Sequence, residues 1–212
     1  MNIFIITVLS YLVGSISGSM VLGKLKGVDI RTMGSGNAGG TNALRSIGPL
    51  FALGVVIIDI LKGYISVVFI SELSFFINNS GIILEYKQVI CGIAAVLGHV
   101  YPIYYKFKGG KGAGTLIGIV GALFPQAMLS SLLSWIISLV FTGYVGFSTI
   151  LAGIVLSITV FFIPNIPNIF FYFSLLMTLF IIFTHRSNII RMIEGNENRF
   201  EKIMLFKNLF KK

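Results

Sequence analysis

The 212-residue sequence predicts an all-α protein that crosses a membrane several times, and three observations carry that expectation. Hydrophobic residues make up 56% of the chain against 11% charged, with a mean hydropathy of +0.95, far from the balance of a soluble domain. Apolar runs recur at the length a helix needs to cross a hydrocarbon core with its own backbone hydrogen-bonded. From Gly112 to Thr184 there is no Asp, Glu, Lys or Arg at all, so the polar helix faces of a soluble fold are missing.

The clear spans fall at about 2–23, 48–70, 88–105, 146–163 and 169–184. No charge precedes Lys24, so the basic start of a cleaved signal is lacking and residues 2–23 are expected to stay as a first span. The stretch 113–142 is long for one helix, and Pro125 divides it into 113–124 and 127–142. Twelve residues reach only about 18 Å of a roughly 30 Å core, which leaves a re-entrant piece open. Counting both gives seven spans and puts the loops at 24–47, 106–112, 143–146 and 185–212 on one face. Those loops hold 14 of the 16 Lys and Arg residues, all but Lys62 and Lys87. By the positive-inside rule that face is cytoplasmic, with the amino terminus outside and the carboxyl terminus inside. Six spans would split the polar loops between the two faces. Residues 1–212 are expected to form one transmembrane domain.

The net charge of +9 follows from this topology and from anionic lipid, and nothing beyond charge supports nucleic-acid binding. At the C-terminus Phe200, Ile203, Met204, Leu205, Phe206 and Leu209 interleave with Lys202, Lys207, Lys211 and Lys212, the pattern of a helix lying on a membrane surface. One cysteine, Cys91, excludes an intramolecular disulfide.

Chemistry concentrates in three polar segments. The first runs from Asp29 to Arg45 and contains Gly34-x-Gly36-x-x-Gly39, nominally a dinucleotide fingerprint, with Asp59 twenty residues later. That fingerprint needs a strand–helix–strand unit, whereas this loop follows a membrane helix and Asp59 lies within the next one. The underlying physics survives: glycines bring backbone N–H groups close to an anion, Ser35, Asn37, Thr41 and Asn42 add donors, and Arg45 can grip phosphate bidentately.

The second segment, Lys106 to Thr115, is not a nucleotide P-loop. Gly112 follows Lys111 where Ser or Thr is required, and Tyr105 replaces the leading glycine. A glycine turn entering a helix near Ala113 still aims amides and a positive helix end at an anion, with Lys108 and Lys111 as point charges. Lys106 can snorkel.

In the third segment His185, Asn188 and Arg191 or Met192 share a helical face. His99 and His185 are the only histidines, and each opens a polar segment at the membrane edge. Asp29, Asp59, Glu194, Glu197 and Glu201 form no metal-ligand set by spacing, so neither metal nor cofactor is expected; Asp59 and Lys62, three apart, are expected to pair.

Three motifs in order, Gly34-Ser-Gly-Asn-Ala-Gly-Gly-Thr-Asn-Ala-Leu-Arg45, then Gly98-His…Pro102…Phe107-Lys-Gly-Gly-Lys-Gly112, then His185-Arg-x-Asn-Ile-x-Arg191…Gly195-x-Glu197, resemble the bacterial acyl-phosphate:glycerol-3-phosphate acyltransferase family over essentially the whole chain. The resemblance implies seven spans and a cytoplasm-facing site in the cell membrane. It also implies acyl transfer from acyl phosphate to the 1-hydroxyl of sn-glycerol 3-phosphate, giving lysophosphatidic acid and phosphate. It assigns catalysis to His185, Asn188 and Lys111. Phosphate and substrate contacts go to Ser35, Gly36, Asn37, Thr41, Asn42, Arg45, His99, Lys108, Gly109, Gly110, Gly112, Arg186, Arg191 and Glu197, with Ser148 and Thr149 available. Membrane lipids are the other expected partner, and no obligatory protein partner is implied.

The residue types suit that reaction. Two phosphate dianions about 6 Å apart repel by roughly 10 kcal/mol at an effective dielectric near 20, so two phosphates demand several cations. No Ser-His-Asp set or activated cysteine is visible, which favours direct attack by the glycerol hydroxyl with a phosphate oxygen taking the proton. One departure stands out: Gly143-Tyr-Val-Gly-Phe-Ser-Thr149 lies where the family is expected to read Arg-Tyr-Val-Ser-x-x-Ser. The competing class is a transporter or channel for a phosphorylated anion. Against it stand the one-sided motifs, the lack of a clear inverted repeat and spans nearly free of polar pathway residues.

Overall fold

The computed structural model describes residues 2–73 and 83–205, and the regular elements among them are all helical. They form two compact units, Met1–Leu123 and Phe124–Lys212, divided just before Pro125.

In the first unit α1 (Asn2–Gly14) and α2 (Gly18–Lys26) lead through a polar loop to α3 (Gly40–Ser46). Then come α4 (Pro49–Ile65, prolonged by a π turn at Ser66–Ile70), α5 (Leu84–Val100) and α6 (Ala113–Leu123). α1 packs along α5, and α4 along α6. Both crossings are made by glycines: a Cβ on Gly14 would strike the Ala95 backbone, and one on Gly63 would strike the Thr115 carbonyl. Lipid tails are as apolar as leucine, so close backbone packing replaces water expulsion as the cohesive force. Along α4 the helical period sorts the faces: Leu53, Ile57 and Leu61 are exposed, while Val55, Asp59 and Lys62 are buried. The exposed face is apolar and the charges point inward.

In the second unit α8 (Val145–Phe162) packs against both α7 (Pro125–Thr142) and α9 (Asn168–Thr184), with α10 (Arg186–Ile193) beyond. Polar bonds join them: Trp135 Nε1 donates to Thr149 Oγ1 at 3.2 Å, and Thr178 Oγ1 to the Gly153 carbonyl at 2.6 Å.

Helices fall at each of the seven segments expected from sequence. Among the described residues four of them, Pro49–Ile70, Leu84–Tyr105, Pro125–Thr142 and Val145–Phe162, are long and apolar enough to cross a membrane alone. Two bent pairs raise this to as many as six: Ile3–Gly14 with Gly18–Lys26 (42°), and Asn168–Thr184 with Arg186–Ile193 (51°). α6, at 11 residues, reaches about 16 Å. At the C-terminus, where a surface helix was expected, Glu201–Ile203 makes one 3-10 turn. Phe206, Lys207, Leu209, Lys211, Lys212 and the Lys202 side chain lie outside the described residues.

Candidate active site

The first polar loop is built around Asn42, which is buried. Its amide nitrogen donates toward the carbonyls of Ile30 (3.1 Å), Met33 (2.9 Å) and Asn37 (3.0 Å), and its oxygen accepts from Ser35 N at 2.9 Å. Asn42 therefore holds the loop, rather than presenting its donors outward. Gly34 and Gly36 adopt left-handed φ values of 54° and 72°, and a side chain on Gly34 would strike Asn42 Oδ1. Between them Ser35 stands exposed at the tip. Arg45 is exposed in the last turn of α3, with Asn37 and Thr41 half-buried. The Gly36 amide is used within the loop, donating to Met33 O at 3.0 Å.

Asp29 and Arg31 brace this loop. Arg31 Nη2 lies 2.7 Å from Asp29 Oδ2, and the Arg31 backbone N–H donates to Asp29 Oδ1 at 2.9 Å. These hydrogen bonds hold the Asp29 carboxyl below the usual carboxylate range and raise the Arg31 guanidinium. Arg31 Nη1 also donates to Tyr105 O at 3.2 Å, tying the first loop to the second. Arg31 was not among the residues singled out from sequence, where its only signal is the Asp-x-Arg spacing.

The second loop folds back on the end of α5. Gly109 N donates to Val100 O at 3.2 Å and Gly110 N to His99 O at 3.1 Å, filling carbonyls that a helix C-terminus leaves without partners. These two amides thus cap α5. A Cβ on Gly110 would run into the His99 ring, and one on Gly109 into the His99 carbonyl. Lys108 is exposed and Lys111 half-buried, and Gly112 (φ 92°) turns the chain into α6, which begins at Ala113 as expected. Lys106 is exposed in a left-handed conformation.

Beneath this loop lies a buried polar group. Asp59 and Lys62 pair as expected, Oδ1 to Nζ at 3.0 Å, with side chains only 4% and 3% exposed. His99 Nδ1 stands 3.5 Å from the same Oδ1, too long for a well-made hydrogen bond.

In the second unit Glu197 is the organiser. Its buried carboxylate accepts from Asn188 Nδ2 at 2.7 Å and from Arg191 Nε at 2.6 Å. His185 Nδ1 lies 2.8 Å from Ile181 O. A carbonyl can only accept, so Nδ1 carries the hydrogen and, in the neutral ring, Nε2 has the lone pair. Arg186 is exposed and stacks on Phe183, its Nη1 donating to Phe183 O at 3.0 Å. Ser148 and Thr149 bond back to Tyr144 O and Val145 O, one turn behind them.

The departing glycines have a local cause. Gly143 closes α7 at φ 73°, and a Cβ there would stand 2.7 Å from Met204 Sδ. Its carbonyl accepts from Phe200 N at 2.9 Å, so the C-terminal segment lies over the spot a side chain would fill. Arg199 stacks on the neighbouring Tyr144 ring at 4.5 Å. Gly146 makes room for Asn188.

Among the described residues no group of three or more His, Cys, Asp or Glu side chains is placed to hold a metal. The first unit thus offers loop hydroxyls, amides and cations, and the second an imidazole with an amide and a guanidinium held on a carboxylate.

Comparison with known proteins shows the family. The family model described as glycerol-3-phosphate acyltransferase matches residues 4–195. A glycerol-3-phosphate acyltransferase of Aquifex aeolicus is 37% identical over 200 residues, covering 94% of this chain and 100% of its own. One from Prochlorococcus marinus is 41% identical over 201 residues, covering 94% and 98%. Two crystal structures of PlsY, an integral membrane glycerol 3-phosphate acyltransferase, superpose over 100% of both chains. The glycerol 3-phosphate form gives a TM-score of 0.84 at 36% identity, and the lysophosphatidic acid form 0.83 at 35%. The chain, an all-α integral membrane protein, belongs to the glycerol-3-phosphate acyltransferase family.

Proposed function

We propose that this protein transfers a fatty acyl group from acyl phosphate to the 1-hydroxyl of sn-glycerol 3-phosphate, forming 1-acyl-sn-glycerol 3-phosphate and inorganic phosphate. This is the first step of membrane phospholipid synthesis. The observation that carries the reading is the pair of PlsY structures matching the whole chain, one a glycerol 3-phosphate form and the other a lysophosphatidic acid form. Acceptor and product of one acyl transfer are thereby represented on the same fold.

Ser35, Arg45 and Lys111 bind phosphate, and Lys108 adds charge. His185 and Asn188 orient the glycerol phosphate, and Glu197 fixes the Asn188 amide. The glycerol oxygen attacks the acyl carbonyl carbon, an ester C–O bond forms, and the acyl C–O bond to phosphate breaks. The hydroxyl proton passes to a phosphate oxygen, so neither an acyl-enzyme nor a metal is required. Acyl phosphate is already activated, and the cations stabilise both the approach of two anions and the departing phosphate. Residues 1–212 act as one acyltransferase domain in the cell membrane, with seven spans, the amino terminus outside and the active site facing the cytoplasm. The crowding of 14 of 16 Lys and Arg residues into the loops at 24–47, 106–112 and 185–212 supports that orientation.

The test is turnover by purified protein in detergent with acyl phosphate and glycerol 3-phosphate, scoring phosphate and lysophosphatidic acid at one to one. Turnover with another acyl donor and none with acyl phosphate would overturn the donor assignment.

A further inference from the structure

The buried Asp59–Lys62 pair touches three pieces of the first unit that the sequence keeps far apart. Lys62 Nζ donates to Ile16 O at 2.8 Å, and Asp59 Oδ1 accepts from Gly18 N at 3.3 Å. These two backbone groups lie at the 42° break between α1 and α2. The cation thus meets a carbonyl inside the break, and the anion meets the first amide of α2, where a helix N-terminus carries a partial positive charge. One residue after Gly18, Ser19 Oγ donates to Ala38 O at 2.8 Å, inside the first polar loop. On the other side His99 Nδ1 faces Asp59 Oδ1 at 3.5 Å, while the His99 carbonyl accepts from Gly110 N and its ring fills the space over Gly110. A Cβ on Gly114, in the first turn of α6, would sit 3.1 Å from Asp59 Cβ. Both ends of the Gly109–Lys111 turn, α5 and α6, therefore rest against this ion pair.

We propose that Asp59 and Lys62 are positioning residues for the phosphate-binding turn: through His99 and the α1–α2 break, they set where Gly109–Lys111 stands. Both side chains are buried, and the proposal rests on the reading above that this turn binds phosphate. A charged pair inside a membrane protein is costly to maintain, and a fold needing only cohesion fills such a spot with apolar side chains. Here both charges are matched to backbone groups and to a histidine seated against the turn.

The test removes both charges together, Asp59→Asn with Lys62→Met, because removing one would leave its partner unpaired in the interior. The double variant is compared with the wild-type chain in detergent for thermal midpoint, kcat and KM for acyl phosphate. The concentration of inorganic phosphate that half-protects against thermal unfolding is measured in parallel. A positioning role predicts a thermal midpoint within a few degrees of wild type, KM raised at least tenfold, kcat changed less, and half-protection shifted upward by a similar factor. A second variant, Gly110→Ala, leaves the pair intact but displaces the His99 ring, and is expected to give the same KM rise. Unchanged KM and unchanged phosphate protection in the double variant would overturn the proposal whatever Gly110→Ala does, as would a double variant that leaves no folded protein. Phosphate protection is read without turnover. A wild-type chain that fails to use acyl phosphate therefore sinks the donor assignment alone, and a normal KM in the variants sinks only the positioning role.

Discussion

Gly146 and Asn188 occupy adjoining space so fully that a Cβ on the glycine would lie 2.7 Å from the Asn188 Cβ. The conflict is with the root of the side chain, which cannot swing away without moving α10. Gly146→Ala is expected to displace the Asn188 amide and to raise KM for glycerol 3-phosphate about tenfold, with an overpacking cost of about 1–3 kcal/mol. Steady-state kinetics at saturating acyl phosphate check this, and wild-type KM would refute it.

Glu197 is expected to act through Asn188 and Arg191. Glu197→Gln keeps an acceptor for one partner and should lose activity by less than about tenfold. Glu197→Ala leaves both donors without their buried acceptor, a loss of about 1–3 kcal/mol per unsatisfied group, and should cost about a hundredfold. Equal activities for the two variants would show that the hydrogen bonds do not matter.

Asn42 and Ser35 should separate cleanly by experiment. Asn42→Ala strips the loop of its central hydrogen bonds and is expected to lower the thermal midpoint by several degrees. Ser35→Ala, at an exposed tip, should leave the midpoint unchanged while raising KM for a phosphate substrate. A thermal shift series beside the kinetics reads both.

Asp29 sets an acid limb. Its folded carboxyl lies below the ordinary value of about 3.9 because Arg31 hydrogen-bonds the charged form. A depressed carboxyl contributes stability that is fully present above the unfolded value and lost as pH falls through the folded one. Both partners are partly exposed, so the effect is small. The thermal midpoint gap between wild type and Asp29→Asn is expected to hold constant above about pH 5 and to shrink below the unfolded value. A gap that widens in acid would contradict the assignment.

Activity is expected to survive EDTA. Loss that Mg²⁺ restores would refute the metal-free mechanism. His185→Ala retaining near-normal turnover at saturating substrates would exclude a histidine base and favour proton transfer to phosphate.

Much of this was legible in the chain. Apolar length placed the helices of the seven expected segments, because a backbone in lipid must satisfy its own hydrogen bonds and the run of side chains therefore marks the span. It did not place α3, α10 or the break between α1 and α2. Glycine and cation spacing picked out the three polar segments. Sequence alone could not sort outward from inward groups within them. Asn42 and Ser35 are both small polar residues of one loop, yet Asn42 is enclosed by three carbonyls and Ser35 is exposed. Gly109 and Gly110 likewise read as an anion cradle, while their amides close the end of α5.

What the sequence by itself determined was the class of chemistry and the membrane setting, since composition, charge asymmetry and motif order are properties of the chain. Only the tertiary structure decided which groups hold the site and which present themselves. Arg31 reaches Tyr105 across 74 residues, and Lys62 reaches Ile16 across 46. Such contacts form because a buried donor or charge must find a partner wherever the packed helices bring one, and no local spacing records where that will be.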